Sequence, residues 1–298
     1  REAAQVAREC HQLAQELEGT TVKAEVAVVY DYQSIWALWI QPGFPGNSYH
    51  EAMMRYYAAL FRAGVTVDMV RPTEDLSQYR LVIAPALHLV PDRVATRLVE
   101  YVKNGGILLA DCRFGVKDET NLCYDRTLPG LLTDTLGLVI EEYEAMDEQM
   151  AYRVVGKHRL KGEFTAIKYV DWITPEGAEV LAGYEQWHLS TFAAVTRNSF
   201  GRGRAYYVGM IAREPEFYDQ VVAELLRTAK VEPPLAPPEG VEVSLRQRGG
   251  KKLLFLVNHS EDKKTVGVPP GKQELITNAT TAGAIELDRY GVAVVKLT

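Results

Sequence analysis

The sequence predicts an α/β protein with a doubly wound, mostly parallel sheet, followed by a small antiparallel all-β domain. Three observations predict it. Across residues 26–110, short apolar runs alternate with segments whose apolar residues recur every three or four positions. Across residues 139–207 the period drops toward two. Four prolines then crowd residues 231–240, and strand-like alternation resumes beyond them.

The central unit comes first. Residues 26–30 form an apolar run, followed by a stretch rich in Trp, Gly and Pro that reads as a long loop over residues 34–47. Tyr49, Met53, Tyr56, Tyr57, Leu60 and Phe61 then share one helix face. Gly64 stands where a helix end needs positive φ. Val65, Val67 and Val70 open the next strand. Strand, helix, strand in under fifty residues is a right-handed βαβ unit with parallel strands. In such sheets, loops after strand carboxyl ends do the binding.

The pattern then repeats. Residues 80–85 read as a third strand. Pro91 starts a helix with Val94, Leu98, Val99 and Val102 inward. Gly105 and Gly106 end it, and residues 107–110 give a fourth strand. Pro129 to Leu132 starts a short helix. The acidic run of Glu141, Glu142, Glu144, Asp147 and Glu148 reads as a solvated connection. Residues 197–204, Arg-Asn-Ser-Phe-Gly-Arg-Gly-Arg, form a hairpin turn, and Pro215 opens a last helix through Tyr218, Val221, Leu225 and Leu226. Past the linker, residues 241–246, 253–258 and 292–297 are the clearest strands of a module near the lower size limit for independent stability.

With 298 residues and a net charge of −6, the chain has room for a sizeable core and no basic footprint for nucleic acid. No apolar run approaches the roughly 20 residues that span a bilayer. Three cysteines, with no CxxC, argue against a disulfide framework and fit a reducing, cytoplasmic compartment. The opening stretch has Ala3, Val6, Cys10, Leu13 and Leu17 at helical spacing, so a helix is under way at Arg1 without a cap or an initiator Met. A piece of a longer protein is the expectation.

Few residues offer chemistry. Cys112 follows a strand, as a nucleophile would, but lacks flanking glycines and an evident base. None of the six histidines lies four residues from another, and neither a metal nor a cofactor is implied. The glycines at 201 and 203 lack the strand-to-helix context and Lys of a phosphate loop and read as turn residues. No pair of carboxylates suits glycoside hydrolysis. The anomaly is aromatic. Two of the four tryptophans, Trp36 and Trp39, share one stretch with Phe44, and Tyr49 heads the next helix. These four are candidates for an interface or a sugar-facing surface.

The residues also carry a resemblance. Residues 24–31 (AEVAVVYD), 36–39 (WALW), 49–51 (YHE), 57–65 (YAALFRAGV) and 75–87, followed by Gly105-Gly106, resemble the middle, trimerisation domain of family 42 β-galactosidases. The resemblance covers most of residues 20–230. The module after the prolines resembles the family's C-terminal β domain more weakly. What the resemblance implies is an order of domains: a catalytic (β/α)₈ barrel, then this domain, whose fold resembles class I glutamine amidotransferases, then the β domain. Residues 1–20 would be a terminal helix left from the barrel, 21–230 the α/β trimerisation domain, 231–240 the linker and 241–298 the β domain. Both catalytic glutamates would belong to the missing barrel, so no catalytic residue is expected here. The implied function is non-catalytic assembly of a homotrimer whose intact parent hydrolyses terminal β-D-galactosides with retention. A free-standing amidotransferase-like enzyme using Cys112, and a carbohydrate-binding module using Trp36 and Trp39, are the rival readings.

Overall fold

The computed structural model describes residues 2–298. Arg1, where the helical pattern opens, lies outside the described residues. In chain order the elements are α1 (Glu2–Leu17), β1 (Thr21–Val22), β2 (Val26–Val29), α2 (Tyr32–Ile40), α3 (Tyr49–Arg62), β3 (Val67–Val70), β4 (Leu81–Ala84), α4 (Asp92–Lys103) and β5 (Ile107–Asp111). A 3₁₀ turn (Gly130–Leu132) and α5 (Thr133–Leu136) follow. Then come β6 (Leu138–Ala145), β7 (Tyr152–Gly156), β8 (Glu163–Pro175), β9 (Glu179–Tyr184), β10 (Ala193–Phe200), β11 (Gly203–Val208), β12 (Met210–Ala212) and α6 (Pro215–Ala229). After the prolines come β13 (Val241–Arg248), β14 (Lys251–Asn258), β15 (Lys264–Gly267), β16 (Gln273–Glu274), β17 (Ala284–Leu287) and β18 (Val292–Lys296).

The chain divides into two compact units. One holds residues 25–59 and 67–231, the other residues 1–24, 60–66 and 232–298. The larger unit is built on a single mixed sheet. Its parallel half runs β3-β2-β4-β5-β11, with Val26 opposite Val67 and Leu81, and Leu81 opposite Ile107. Every residue of β2, β4 and β5 is buried. Continuous apolar strands of this kind arise because helices cover both faces of a parallel sheet. Beyond β11 the sheet turns antiparallel through β10, β9, β7, β8 and β12, with β6 paired to β8. The acidic residues Glu141, Glu142 and Glu144 therefore lie on a strand, not in a connection. Glu141 and Glu142 are exposed on β6 and Glu144 is half-buried, so the charge run and the strand coexist.

A second local expectation is overturned. The stretch read as a loop from residue 34 to 47 is helical to Ile40, and only residues 41–48 are irregular. Asp31 is the cap: its carboxylate accepts the Ser34 N–H at 2.9 Å. No Gly or Pro interrupts YQSIWALWI, and the helix stops just before Pro42. The apolar residues surround this helix, so no period marked it.

In the smaller unit, β1, β13, β14, β18 and β16 form an antiparallel sheet. One of its cores is Val241, Val243, Leu254, Leu256 and Val295 among others. A second cluster sets Leu13 and Leu17 of α1 against Leu253, Leu275 and Val294. Lys251 and Lys296 each reach Glu16 at 2.7 Å, and their hydrogen bonds hold its carboxyl below the usual range. Gly64 has φ +72, as expected, and a Cβ there would sit 2.7 Å from Pro237 Cδ.

Candidate functional site

The carboxyl ends of β2, β4 and β5 place two candidate regions in the larger unit. The first is where β5 ends, at Asp111-Cys112-Arg113. Asp111 is buried and accepts the Ala86 N–H at 2.5 Å. Asp171, from β8, accepts the hydroxyls of Tyr169 at 2.9 Å and Tyr207 at 2.8 Å. Burial pushes Asp111 up to about 7 and Asp171 up to about 6. Cys112 is buried beside both, and burial, then the two carboxylates, push its thiol well above the ordinary value. A thiol becomes a nucleophile through the opposite shift, so this position stays neutral and inert.

A lid of side chains covers it. Phe44 packs with Cys112, Tyr169 and Ile211. The Arg113 guanidinium lies 5.5 Å from the Tyr143 ring centroid and 5.8 Å from that of Tyr169. His88 is fully buried. Its Nδ1 meets the Arg113 carbonyl at 3.2 Å, and burial, with Arg113, lowers it to about 4, so it is neutral. Among the described residues, no group of three His, Cys, Asp or Glu side chains is placed to hold a metal ion.

The second region is the outer face of α2. Its inner face is Ser34, Ala37 and Leu38. The Ser34 hydroxyl accepts the N–H groups of His88 at 3.1 Å and Leu89 at 3.0 Å, which seats the helix on the segment after β4. The outer face is bare: Tyr32, Trp36, Trp39 and Ile40 are exposed, Trp39 by 85%. The four residues expected to act together are thus divided. Trp36 and Trp39 stand in solvent. Phe44 is buried at 4%, stacked on Tyr169. Tyr49 is buried at 2%, its hydroxyl donating to the Val29 carbonyl at 2.8 Å and accepting the Asp31 N–H at 3.2 Å. These two rings hold the loop and α3 in place.

Sequence reasoning missed Trp187, 89% exposed in the connection from β9 to β10. A lone tryptophan among polar loop residues was the available signal. It also missed Asp171, whose partners come from other strands.

Fold and site together define an α/β domain whose nucleophile position is filled and covered, with an aromatic helix face left open, and an all-β module after it. Residues 24–232 match the model of the β-galactosidase trimerisation domain, and residues 240–297 that of the β-galactosidase C-terminal domain. The chain therefore belongs to the family 42 β-galactosidases, as their trimerisation and C-terminal domains. A β-galactosidase of Planococcus sp. (strain L4) is 34% identical over 297 residues, covering 98% of this chain and 44% of the relative. One from Clostridium perfringens is 32% identical, covering 93% and 42%. The crystal structure of a β-galactosidase from Bacillus circulans sp. alkalophilus superposes with a TM-score of 0.94 at 31% identity, over 99% of this chain and 44% of that one. The β-galactosidase of the haloarchaeon Halorubrum lacusprofundi gives 0.84 at 32% identity, over 99% and 42%. The chain spans less than half the length of these relatives. No helix among the described residues is long and apolar enough to cross a membrane.

Proposed function

We infer that this chain assembles a homotrimeric β-galactosidase, with the outer face of α2 as the surface that meets a second copy. The observation that carries the reading is the exposure of Trp36 and Trp39 on a helix whose other face is firmly seated. Trp rings in water are what an interface buries. Covering one removes 150–250 Å² and contributes up to roughly 4–6 kcal/mol at about 25 cal/mol per Å². The name of the matched domain and the length of the relatives support the same reading. In it, α1 is the tail of a catalytic barrel, which carries the residues for retaining hydrolysis of terminal β-D-galactosides. This chain alone is inert, and the assembled enzyme works in the cytoplasm. Trp36 and Trp39 lie at strand carboxyl ends, where α/β sheets meet ligands, so the same face contacts galactoside bound by the neighbouring copy.

Sedimentation of the longer protein with Trp36→Ala and Trp39→Ala tests this. Dissociation of the trimer, with a raised KM for galactoside, is expected. Variants that stay trimeric with unchanged kinetics overturn it.

A further inference from the structure

The hairpin at residues 197–204 has no part in that reading. Its turn, Gly201-Arg202, is seated on the end of α4. The Arg202 N–H donates to the Lys103 carbonyl at 3.0 Å, and the Arg204 N–H to the Gly106 carbonyl at 3.3 Å. Gly201 has φ +58, and a Cβ there would lie 2.6 Å from the Lys103 carbonyl oxygen. At Gly203 it would lie 2.2 Å from that of Val102. Only glycines allow this approach. The two glycines thus fix the arginines between and after them at the amino ends of β5 and β11.

A cavity of about 780 Å³ opens there, lined within the larger unit alone. It lies at strand amino ends, away from Cys112 and α2. Six cations line it: Arg80, Arg97, Arg202, Arg204, Arg227 and Lys230. Two are neutralised, Arg80 by Glu25 at 2.9 Å and Arg227 by the buried Glu224 at 2.8 Å. Among the described residues, Arg97 donates only to the Glu74 carbonyl, at 3.3 Å. Among the described residues, the Arg202 and Arg204 guanidinium groups carry no hydrogen bond or ion pair. Against these stand Asp75, which is occupied by the N–H and hydroxyl of Ser77, and Glu100. The lining is cationic in a chain of net charge −6.

We propose that this cavity binds a small molecule carrying two or more phosphate groups, held by Arg202 and Arg204 with Arg97 and Lys230. Free guanidinium forks fit phosphate oxygens two at a time, which a point charge does not. The cavity falls in the range of about 300–1,000 Å³ that suits small-molecule sites, with room for more than a single phosphate. The backbone N–H groups of Gly105, Gly106 and Arg202 are all engaged, so recognition rests on side chains and not on a phosphate-loop cradle.

Calorimetric titration of the chain with pyrophosphate and tripolyphosphate tests the proposal. One saturable site is expected, weakened by salt. R202Q/R204Q should bind at least about tenfold more weakly, the loss expected for two charge-assisted forks. R202Q alone, at an exposed residue that leaves the fold unstressed, should show part of that loss. R289Q, in the smaller unit, should bind as the parent chain does. Absence of saturable binding overturns the proposal, as does equal binding by R202Q/R204Q with an unchanged melting curve. Neither result bears on trimer assembly, which is read by sedimentation.

Discussion

The ring of Phe44 lies stacked on that of Tyr169, their centroids 5.1 Å apart, and the pair closes over Cys112. The loop after α2 is thereby part of the core although most of its residues face solvent. Removing the ring opens the cover. Phe44→Ala should cost about 3 kcal/mol of stability, at the low end for a buried phenyl because the loop can settle inward. It should also speed alkylation of the Cys112 thiol. Urea titration reads the first effect, and iodoacetamide labelling resolved by peptide mass reads the second. A variant of parental stability with an unreactive Cys112 would mean that the loop does not cover it.

Burial of Asp171 has a pH signature. Its folded pKa is about 6, above the ordinary 3.8, with burial as the main cause and the Tyr207 and Tyr169 hydroxyls opposing it. The folded state therefore favours the protonated carboxyl. The contribution to stability is full below about 4 and is lost as pH rises through 6. His88 works the other way, since its lowered value near 4 makes folding gain stability between about 4 and 6.5. Comparing the chain with Asp171→Asn separates the two. The stability of the parent relative to the variant should fall by about 2–3 kcal/mol between pH 4 and pH 8. A difference that stays level across that range would show Asp171 to be ionised throughout.

Trp39→Ala should leave the folding stability of the chain itself within about 0.5 kcal/mol, because the side chain is 85% exposed. In the longer protein the same change should weaken self-association. Thermal melts of the chain and sedimentation of the longer protein check the two halves. A large loss of stability in the chain alone would make Trp39 an internal packing residue.

The chain by itself should not hydrolyse a chromogenic β-galactoside. Glu141 holds the Thr174 hydroxyl, and Glu144 accepts the Tyr152 hydroxyl at 2.6 Å. These acids of β6 serve the sheet, and glycoside hydrolysis needs two carboxyls held on either side of a bound sugar. Turnover that survives repurification and disappears with Glu144→Gln would defeat this expectation.

Much of the larger unit was legible in the sequence. The strands β2 and β4 are apolar throughout, and β5 is apolar up to Asp111, because both faces are covered, and their boundaries follow the apolar runs to within a residue. α4 was legible for the opposite reason. Only one side is covered, so Val94, Leu98 and Val102 repeat at helical spacing. The proline stretch at 231–240 carries neither helix nor strand. A helix such as α2 escapes this kind of reading. Its seated face includes Ser34, its open face includes two tryptophans, and no polarity contrast remains to mark the period.

The sequence by itself determined the alternation of strands and helices over most of residues 49–110, the break between the two β patterns, and that no nucleophile-activating motif flanks Cys112; it did not determine α2 or the place of the acidic run on β6. These are local properties, set by period, turn residues and caps. Tertiary structure alone decided that Trp36 and Trp39 face out while Phe44 and Tyr49 face in. It alone brought Asp171 beside Asp111, and set Arg202 and Arg204 on the same cavity as Arg97. Those relations depend on which strands pair and how closely glycine lets them approach, and side chains sixty or a hundred residues apart meet only once the sheet has formed.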